Sequence, residues 1–268
     1  MVERDMARTL EQEIENPVAK FQFADAKSFR EIVESLAKIM DEIRFTVTQE
    51  GVKAIGMDAS KLALIELFFS RDSFLDFYLS EDREEAYLGL QLSSLASMLK
   101  KSKKGEPLTF TASDDRVLIV IDSTVVKKFL VPNIEVILDI PGEIKLEFDV
   151  EASVTSDPLK KALRDVEVIG DVAEFEANED ALIIKARGEG ARARTVFSRD
   201  SAALTYLEVK QPSRSAYEVS YLKNVLNLTK IADVVDIKFS TDKPLEMVFR
   251  LPAPGEAWVR YLLAPMSL

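Results

Sequence analysis

The sequence predicts an α+β protein of two similar domains, each an antiparallel sheet covered by two helices. Three observations carry that prediction. Displaced along itself by about 130 residues, the chain sets apolar residues on one another: Leu36 on Val166, Phe45 on Phe175, Val52 on Leu182, Leu92 on Leu222, Leu95 on Val225 and Met98 on Leu228. Turn acids coincide as well, Asp41 with Asp171 and Glu50 with Asp180. Short segments alternate apolar and polar residues between turns, the pattern of antiparallel strands with one buried face. Each half also carries two stretches with helical apolar spacing.

Residues 1–17 are acidic and lack an apolar period, so they read as a loose extension. Phe21 and Phe23 alternate like a strand, and Asp25 caps a helix from about Lys27 to Met40 that turns Phe29, Ile32, Val33, Leu36, Ile39 and Met40 inward. Phe45 and Val47, a turn at Gln49-Glu50-Gly51, then Val52, Ala54 and Ile55 form a hairpin in which Gly51 supplies positive φ. Strands follow through Leu62–Leu67 and Ala86–Leu90, then a helix from Leu92 to Lys101. Leu108–Ala112 and Val117–Ile121 make a second hairpin around Asp114-Asp115.

The second half repeats the order. Pro158 suits the first turn of a helix ending near Val168. Phe175 and Ala177 lead through a turn at Asn178-Glu179-Asp180 to Leu182 and Ile184, a helix spans Tyr221–Ile231, and a closing hairpin joins Val235–Phe239 to Leu245–Phe249. Domains are expected at 18–128 and 144–268, with 129–143 an extended connector containing Pro132 and Pro141. The connector is too apolar for an inert linker.

Composition narrows function. The 268 residues contain neither histidine nor cysteine, which removes the usual zinc sites, thiolate chemistry, the commonest general base and the usual activator of a serine nucleophile. No uninterrupted apolar run reaches the length of a membrane span, and the N-terminus lacks the apolar core of a secretory signal. A cytoplasmic protein without cofactor or metal is expected.

Local motifs point to loops. Gly188-Glu189-Gly190-Ala191-Arg192-Ala193 satisfies G-x-G-x-x-A, but the residues after it read as strand, whereas a pyrophosphate needs a helix N-terminus there. Glu81, Asp82, Glu84 and Glu85 lack the spaced ligands and central glycine of a calcium loop. Ser94 and Ser97 near Lys100 read as helix surface rather than a Ser–Lys pair.

Charge is the more telling signal. The chain carries 35 basic and 46 acidic residues, yet the four helical segments (27–41, 92–104, 157–168 and 220–233) hold twelve basic and seven acidic ones. A net +5 on the helices against −16 elsewhere describes either ordinary solvated faces or a weakly positive helical lining that follows phosphate without gripping it.

Three stretches then carry a resemblance. "FTVTQEGVKAIGMDASKLALIEL" (Phe45–Leu67, with Gly56-Met57-Asp58-Ala59-Ser60 at its centre), "LDIPGE" (Leu138–Glu143) and the C-terminal Tyr261-Leu262-Leu263-Ala264-Pro265 resemble the archaeal form of proliferating cell nuclear antigen, the sliding clamp of DNA replication. The similarity runs over about residues 20–266. It implies the DNA clamp fold: a three-subunit ring, homotrimer or heterotrimer of related subunits, with helices lining the hole around double-stranded DNA and sheets outside.

The implied function is a non-enzymatic polymerase processivity factor, against the rivals of a protein-only scaffold or a carboxylate- or metal-dependent enzyme on the same duplicated fold. DNA-facing residues are expected at Lys27, Arg30, Lys100, Lys101, Lys160, Lys161, Arg164, Lys223 and Lys230. The resemblance further implies that DNA polymerase, clamp loader, flap endonuclease and DNA ligase dock by a short peptide motif under the connector. The matching positions are Met57, Lys61, Leu62, Leu64, Leu138, Ile140, Pro141, Pro244, Leu262, Ala264 and Pro265. Leu262 stands where the family often has an aromatic residue, and Glu31 and Glu34 interrupt the basic first helix. Edge strands near Thr124–Leu130 and Ala191–Phe197, the latter with Arg192 and Arg194, are the expected seam between subunits.

Overall fold

Described in the computed structural model are residues 14–138, 140 and 146–266, which gather into two units. The first holds 14–56, 67–138 and 253–257; the second holds 57–66, 140, 146–252 and 258–266. Residues 1–13 of the expected extension, and Pro141, lie outside the described residues. Ile14 does not fit a loose extension, since its side chain is buried.

In the first unit the elements run β1 (Ala19–Phe23), α1 (Ala26–Leu36), β2 (Glu42–Thr48), β3 (Gly51–Met57), β4 (Ala63–Ser70), β5 (Asp76–Leu79), β6 (Glu85–Gln91), α2 (Leu92–Leu99), β7 (Leu108–Ala112), β8 (Arg116–Ile121) and β9 (Lys127–Pro132). The tip of the β3–β4 hairpin is counted with the second unit. The second unit runs β10 (Val150–Thr155), α3 (Ser156–Ile169), β11 (Val172–Asn178), β12 (Ala181–Arg187), β13 (Arg192–Ser198), β14 (Leu204–Val209), β15 (Ser213–Glu218), α4 (Val219–Asn224), a 3-10 turn (Leu226–Lys230), β16 (Val234–Phe239), β17 (Leu245–Arg250) and β18 (Ala257–Leu263).

The duplication is visible in strand order. β5-β1-β7-β8-β9 in the first unit corresponds to β14-β10-β16-β17-β18 in the second, and β6-β2-β3-β4 corresponds to β15-β11-β12-β13. Register repeats too: Phe45 pairs with Ala54 and Phe175 with Ile184, each partner displaced by 130. The hairpin turn is Gln49–Glu50, with Gly51 opening β3 at φ +146°, a conformation that favours glycine.

The offset is not constant, and this corrects one landmark. Leu92 N–H donates to the Asp41 carbonyl and Val219 N–H to the Asp171 carbonyl, both at 2.9 Å. The helix starts are therefore 127 residues apart, so Leu92 corresponds to Val219 and not Leu222. Two of the three residues come from the segment between β5 and β6, 80–84, which is longer than 210–212 between β14 and β15. A shift of three is nearly one helical turn, so apolar positions still coincided.

Other elements differ from expectation for local reasons. The first helix ends at Leu36, and the tight turn after it, with Ile39 N–H on the Leu36 carbonyl at 2.9 Å, keeps Ile39 buried and so prolongs the apolar period. The fourth helix breaks after Asn224, where Thr229 turns its hydroxyl back on the Leu226 carbonyl at 2.6 Å. β9 occupies the first part of the expected connector and pairs Phe129 with Ile119. Pro132 ends it on a sheet edge, where a missing N–H is tolerated.

Each core follows from these faces. In the first unit Phe21 stacks on Phe110 with centroids 5.2 Å apart and Phe23 on Phe29 at 4.4 Å, binding β1, α1 and β7 together. The second unit uses fewer rings, with Phe175 against Tyr217 at 5.5 Å and Phe239 at 6.1 Å.

Candidate functional site

The helices pair within each unit. Asp25 caps α1, its carboxylate accepting the N–H groups of Lys27 and Ser28 at 2.9 and 3.3 Å. Phe29, Ile32, Val33 and Leu36 are buried from α1, and Leu92, Leu95 and Leu99 from α2. The polar sides remain outside: Lys27, Lys100 and Lys101 are exposed, as are Lys103 and Lys104 beyond α2.

Arg30 behaves differently. Its side chain is only 16% exposed. The guanidinium donates to the carbonyls of Lys100 and Ser102 at 3.1 and 3.2 Å and pairs with Glu31 at 3.2 Å and Glu34 at 3.5 Å. These contacts link α1 to the end of α2 and cover most of a side chain expected to face DNA, unlike the exposed lysines expected beside it.

In the second unit α3 buries Leu159, Ala162, Leu163 and Val166. That periodicity turns Lys161 and Arg164 outward, with Asp157 and Asp165 beside them. Lys160 is half-buried. Lys223 on α4 is exposed and its ammonium meets Glu167 of α3 at 2.8 Å, so part of its charge is offset. Lys230 is exposed at the end of the 3-10 turn. Val168, 83% exposed on the outer side of α3, is an apolar interruption that charge counting missed.

The hairpin tip in the second unit is built around one carboxylate. Asp58 accepts backbone N–H groups from Ser60 (3.0 Å), Leu62 (2.8 Å) and Ala63 (2.6 Å), while its own N–H donates to the Ala63 carbonyl at 2.9 Å. This closes a tight turn in which Lys61 takes φ +59°, a left-handed conformation costing roughly 1–2 kcal/mol. The turn holds Leu62 out, 42% exposed.

Tyr221 of α4 donates to Asp58 at 3.2 Å, and Tyr261 of β18 donates to the Tyr221 carbonyl at 3.1 Å. Burial pushes both phenols above their ordinary range, and the nearby Asp58 carboxylate adds to it. Asp58, Tyr221 and Tyr261 were absent from the expected site residues. The Asp58-Ala59-Ser60 spacing, typical of an Asx turn, was the available signal for the first.

Around this tip Ala264 N–H donates to the Leu62 carbonyl and Met266 N–H to the Ala216 carbonyl, both at 2.8 Å. Met57, Pro244, Ala264, Pro265 and Ile140 are half-buried in the same unit. Leu64 and Leu262 are 4% and 5% exposed and so serve chiefly as core, while Lys61 and Leu62 are exposed. Leu138 belongs to the first unit and is half-buried.

Two sheet edges match the expected seam segments. β9 is an edge strand of the first unit, preceded by exposed Val125 and Val126; β13 is an edge strand of the second, with Arg192, Arg194 and Val196 exposed. Between β12 and β13 the G-x-G-x-x-A segment is a hairpin turn, closed by Gly188 N–H on the Ala191 carbonyl at 3.0 Å, and no helix follows. Among the described residues no group of carboxylates is arranged to hold a metal ion, and no helix is long and apolar enough to cross a membrane. Asp82 of the acidic loop accepts the Ser80 hydroxyl instead.

Comparison with known proteins gives a consistent answer. The family model for the N-terminal domain of proliferating cell nuclear antigen matches residues 19–140, and that for its C-terminal domain matches 142–266. DNA polymerase sliding clamp 1 of Aeropyrum pernix is 46% identical over 244 residues, covering 91% of this chain and 98% of that protein. The sliding clamp 1 of Sulfolobus acidocaldarius is 32% identical, covering 91% and 97%. Among solved structures, the proliferating cell nuclear antigen of Thermococcus kodakaraensis superimposes with a TM-score of 0.84 at 25% identity, covering 92% of this chain and all of that one. A complex of two such subunits from Sulfolobus tokodaii gives 0.84 at 23% identity, covering 92% and 98%.

Proposed function

The chain belongs to the proliferating cell nuclear antigen family, and on that premise we propose that it is a DNA polymerase processivity factor, a clamp that encircles duplex DNA and slides. The observation that carries the reading is the pairing of helices in both units with lysines and arginines on their outer sides. A closed ring holds DNA by topology, so its lining needs only weak, sequence-blind attraction to phosphate. The DNA-facing set is Lys27, Lys100, Lys101, Lys160, Lys161, Arg164, Lys223 and Lys230, with Arg30 behind it. Carboxylates among these cations keep the lining from gripping.

Three such chains, or this chain with related subunits, close the ring through β9 of one subunit and β13 of the next. Pairing of those edges would satisfy exposed backbone groups and cover Val125, Val126 and Val196. Polymerase, clamp loader, flap endonuclease and ligase dock at the tip presenting Leu62, with Met57, Ile140, Pro244, Ala264 and Pro265 around it. The chain acts by tethering and catalyses nothing itself.

Polymerase extension on a primed circular template tests this directly. Addition of the protein with its loader should lengthen products on the circle and lose its effect when the template is linearised. Equal stimulation on both templates would refute encirclement.

A further inference from the structure

The densest positive charge beside the paired helices is the turn Lys100-Lys101-Ser102-Lys103-Lys104, four lysines in five residues. Like charges so close repel one another, and the carbonyls beyond a helix end lack helical partners. Left to itself such a turn would fray. Instead Ser102 is buried, with its hydroxyl on the Leu99 carbonyl at 2.7 Å, and Lys103 N–H donates to the Glu106 carboxylate at 2.8 Å. Ala26 N–H, at the start of α1, donates to the Glu106 carbonyl at 2.8 Å.

Arg30 closes the arrangement from α1, one turn further along. One guanidinium nitrogen takes both the Lys100 and the Ser102 carbonyl, and the other meets Glu31, whose side chain is 6% exposed. Glu31 and Glu34 thus offset the charge of Arg30 while the lysine ammonium groups remain exposed. At the corresponding place in the second unit, 130 residues on, stands Lys160, and the 3-10 turn that follows the fourth helix there ends in the single Lys230. A forked guanidinium occurs where a polybasic turn has to be held, and a single ammonium where it does not.

We infer that Arg30 is a positioning residue for DNA: it touches no phosphate, but clamps the turn after α2 so that Lys100, Lys101, Lys103 and Lys104 face the duplex together. The inference rests on the clamp reading above. A lysine fixed toward the backbone neutralises a phosphate, whereas one on a loosened turn averages over many positions.

The test uses the full chain in its assembled form and a short duplex as probe, with binding followed across salt concentrations. Arg30→Ala should lower the slope of log affinity against log salt by about one to two at unchanged assembly mass. Arg30→Lys, which reaches one carbonyl at a time, should fall between. Amide hydrogen exchange at residues 100–106 should accelerate in Arg30→Ala while β7 and β8 stay protected.

In a background with all four lysines replaced by alanine, Arg30→Ala should add no further loss of binding. An undiminished additional loss there, or an unchanged slope and exchange in the single variant, overturns the inference. If the four-lysine variant itself keeps the parent salt dependence, the DNA-lining reading of this turn fails and takes the inference with it. A weakened four-lysine variant beside an unaffected Arg30→Ala rejects the positioning role alone.

Discussion

The phenol of Tyr221 donates to the carboxylate of Asp58 at 3.2 Å. It joins the turn that presents Leu62 to the helix that carries Lys223. Asp58 already accepts three backbone N–H groups, so one side chain fixes the shape of the proposed docking site. Asp58→Ala strands those donors and should destabilise the protein by about 1–3 kcal/mol, with weaker binding of partner-derived peptides. Asp58→Asn, keeping one acceptor oxygen, should recover part of both. Denaturant midpoints and peptide titration read the two effects separately.

Tyr221→Phe isolates the last bond of that chain. It removes one partly buried hydrogen bond and should cost about 0.5–1.5 kcal/mol. Because the three backbone bonds to Asp58 persist, peptide affinity should fall less than in Asp58→Ala. Equal losses in the two variants would mean that the turn depends on the phenol rather than on the carboxylate.

The same tyrosines set an alkaline limit. Burial raises the phenols of Tyr217, Tyr221 and Tyr261 above their ordinary value of 10. Below that value the phenols are neutral in both folded and unfolded chains, so their contribution to stability is fully present. Above it the unfolded chain ionises first, and stability falls as pH rises toward the folded values. Denaturant midpoints should hold steady from pH 8 to about 10 and decline beyond. Tyr261→Phe should flatten that decline.

What the sequence could reveal follows from the range of each interaction. The β2–β3 and β11–β12 hairpins were legible because period-two burial and two-residue turns are local, and the same holds for the Asp25 cap. β5 was missed because an alternation of only four residues, ending in buried Leu79, is too short to stand out, and β9 because its pairing with β8 overrides the linker-like composition around Pro132. The site divides in the same way. Lys161 and Arg164 lie outward because their own helix dictates it, but the fate of Arg30 is decided by carbonyls 70 and 72 residues away. Leu64 and Leu262 read as pocket wall, yet sheet packing buries them.

Lining and docking should be separable. Replacing Lys161 and Arg164 together by alanine removes two exposed cations from α3 and should reduce the salt slope of duplex binding by up to about 1.8 while leaving peptide affinity intact. Ile140→Asp should do the reverse, because a carboxylate placed in an apolar contact must be desolvated when the peptide binds. Loss of both activities in either variant would point to disassembly, which light scattering reports.

Assembly itself turns on the edges. Val196 is 43% exposed on β13 between residues that pair only on one side, and Arg192 and Arg194 share its outer face. An exposed edge with an apolar residue at its centre is a liability unless another strand covers it. Val196→Asp sets a charge where that strand would lie and should reduce the mass in solution to that of the 30.1 kDa chain, with the fold retained because the side chain points out of the core. The same substitution should abolish stimulation of polymerase on circular DNA, since an open chain cannot enclose a duplex. A variant that keeps its assembled mass would remove β13 from the seam.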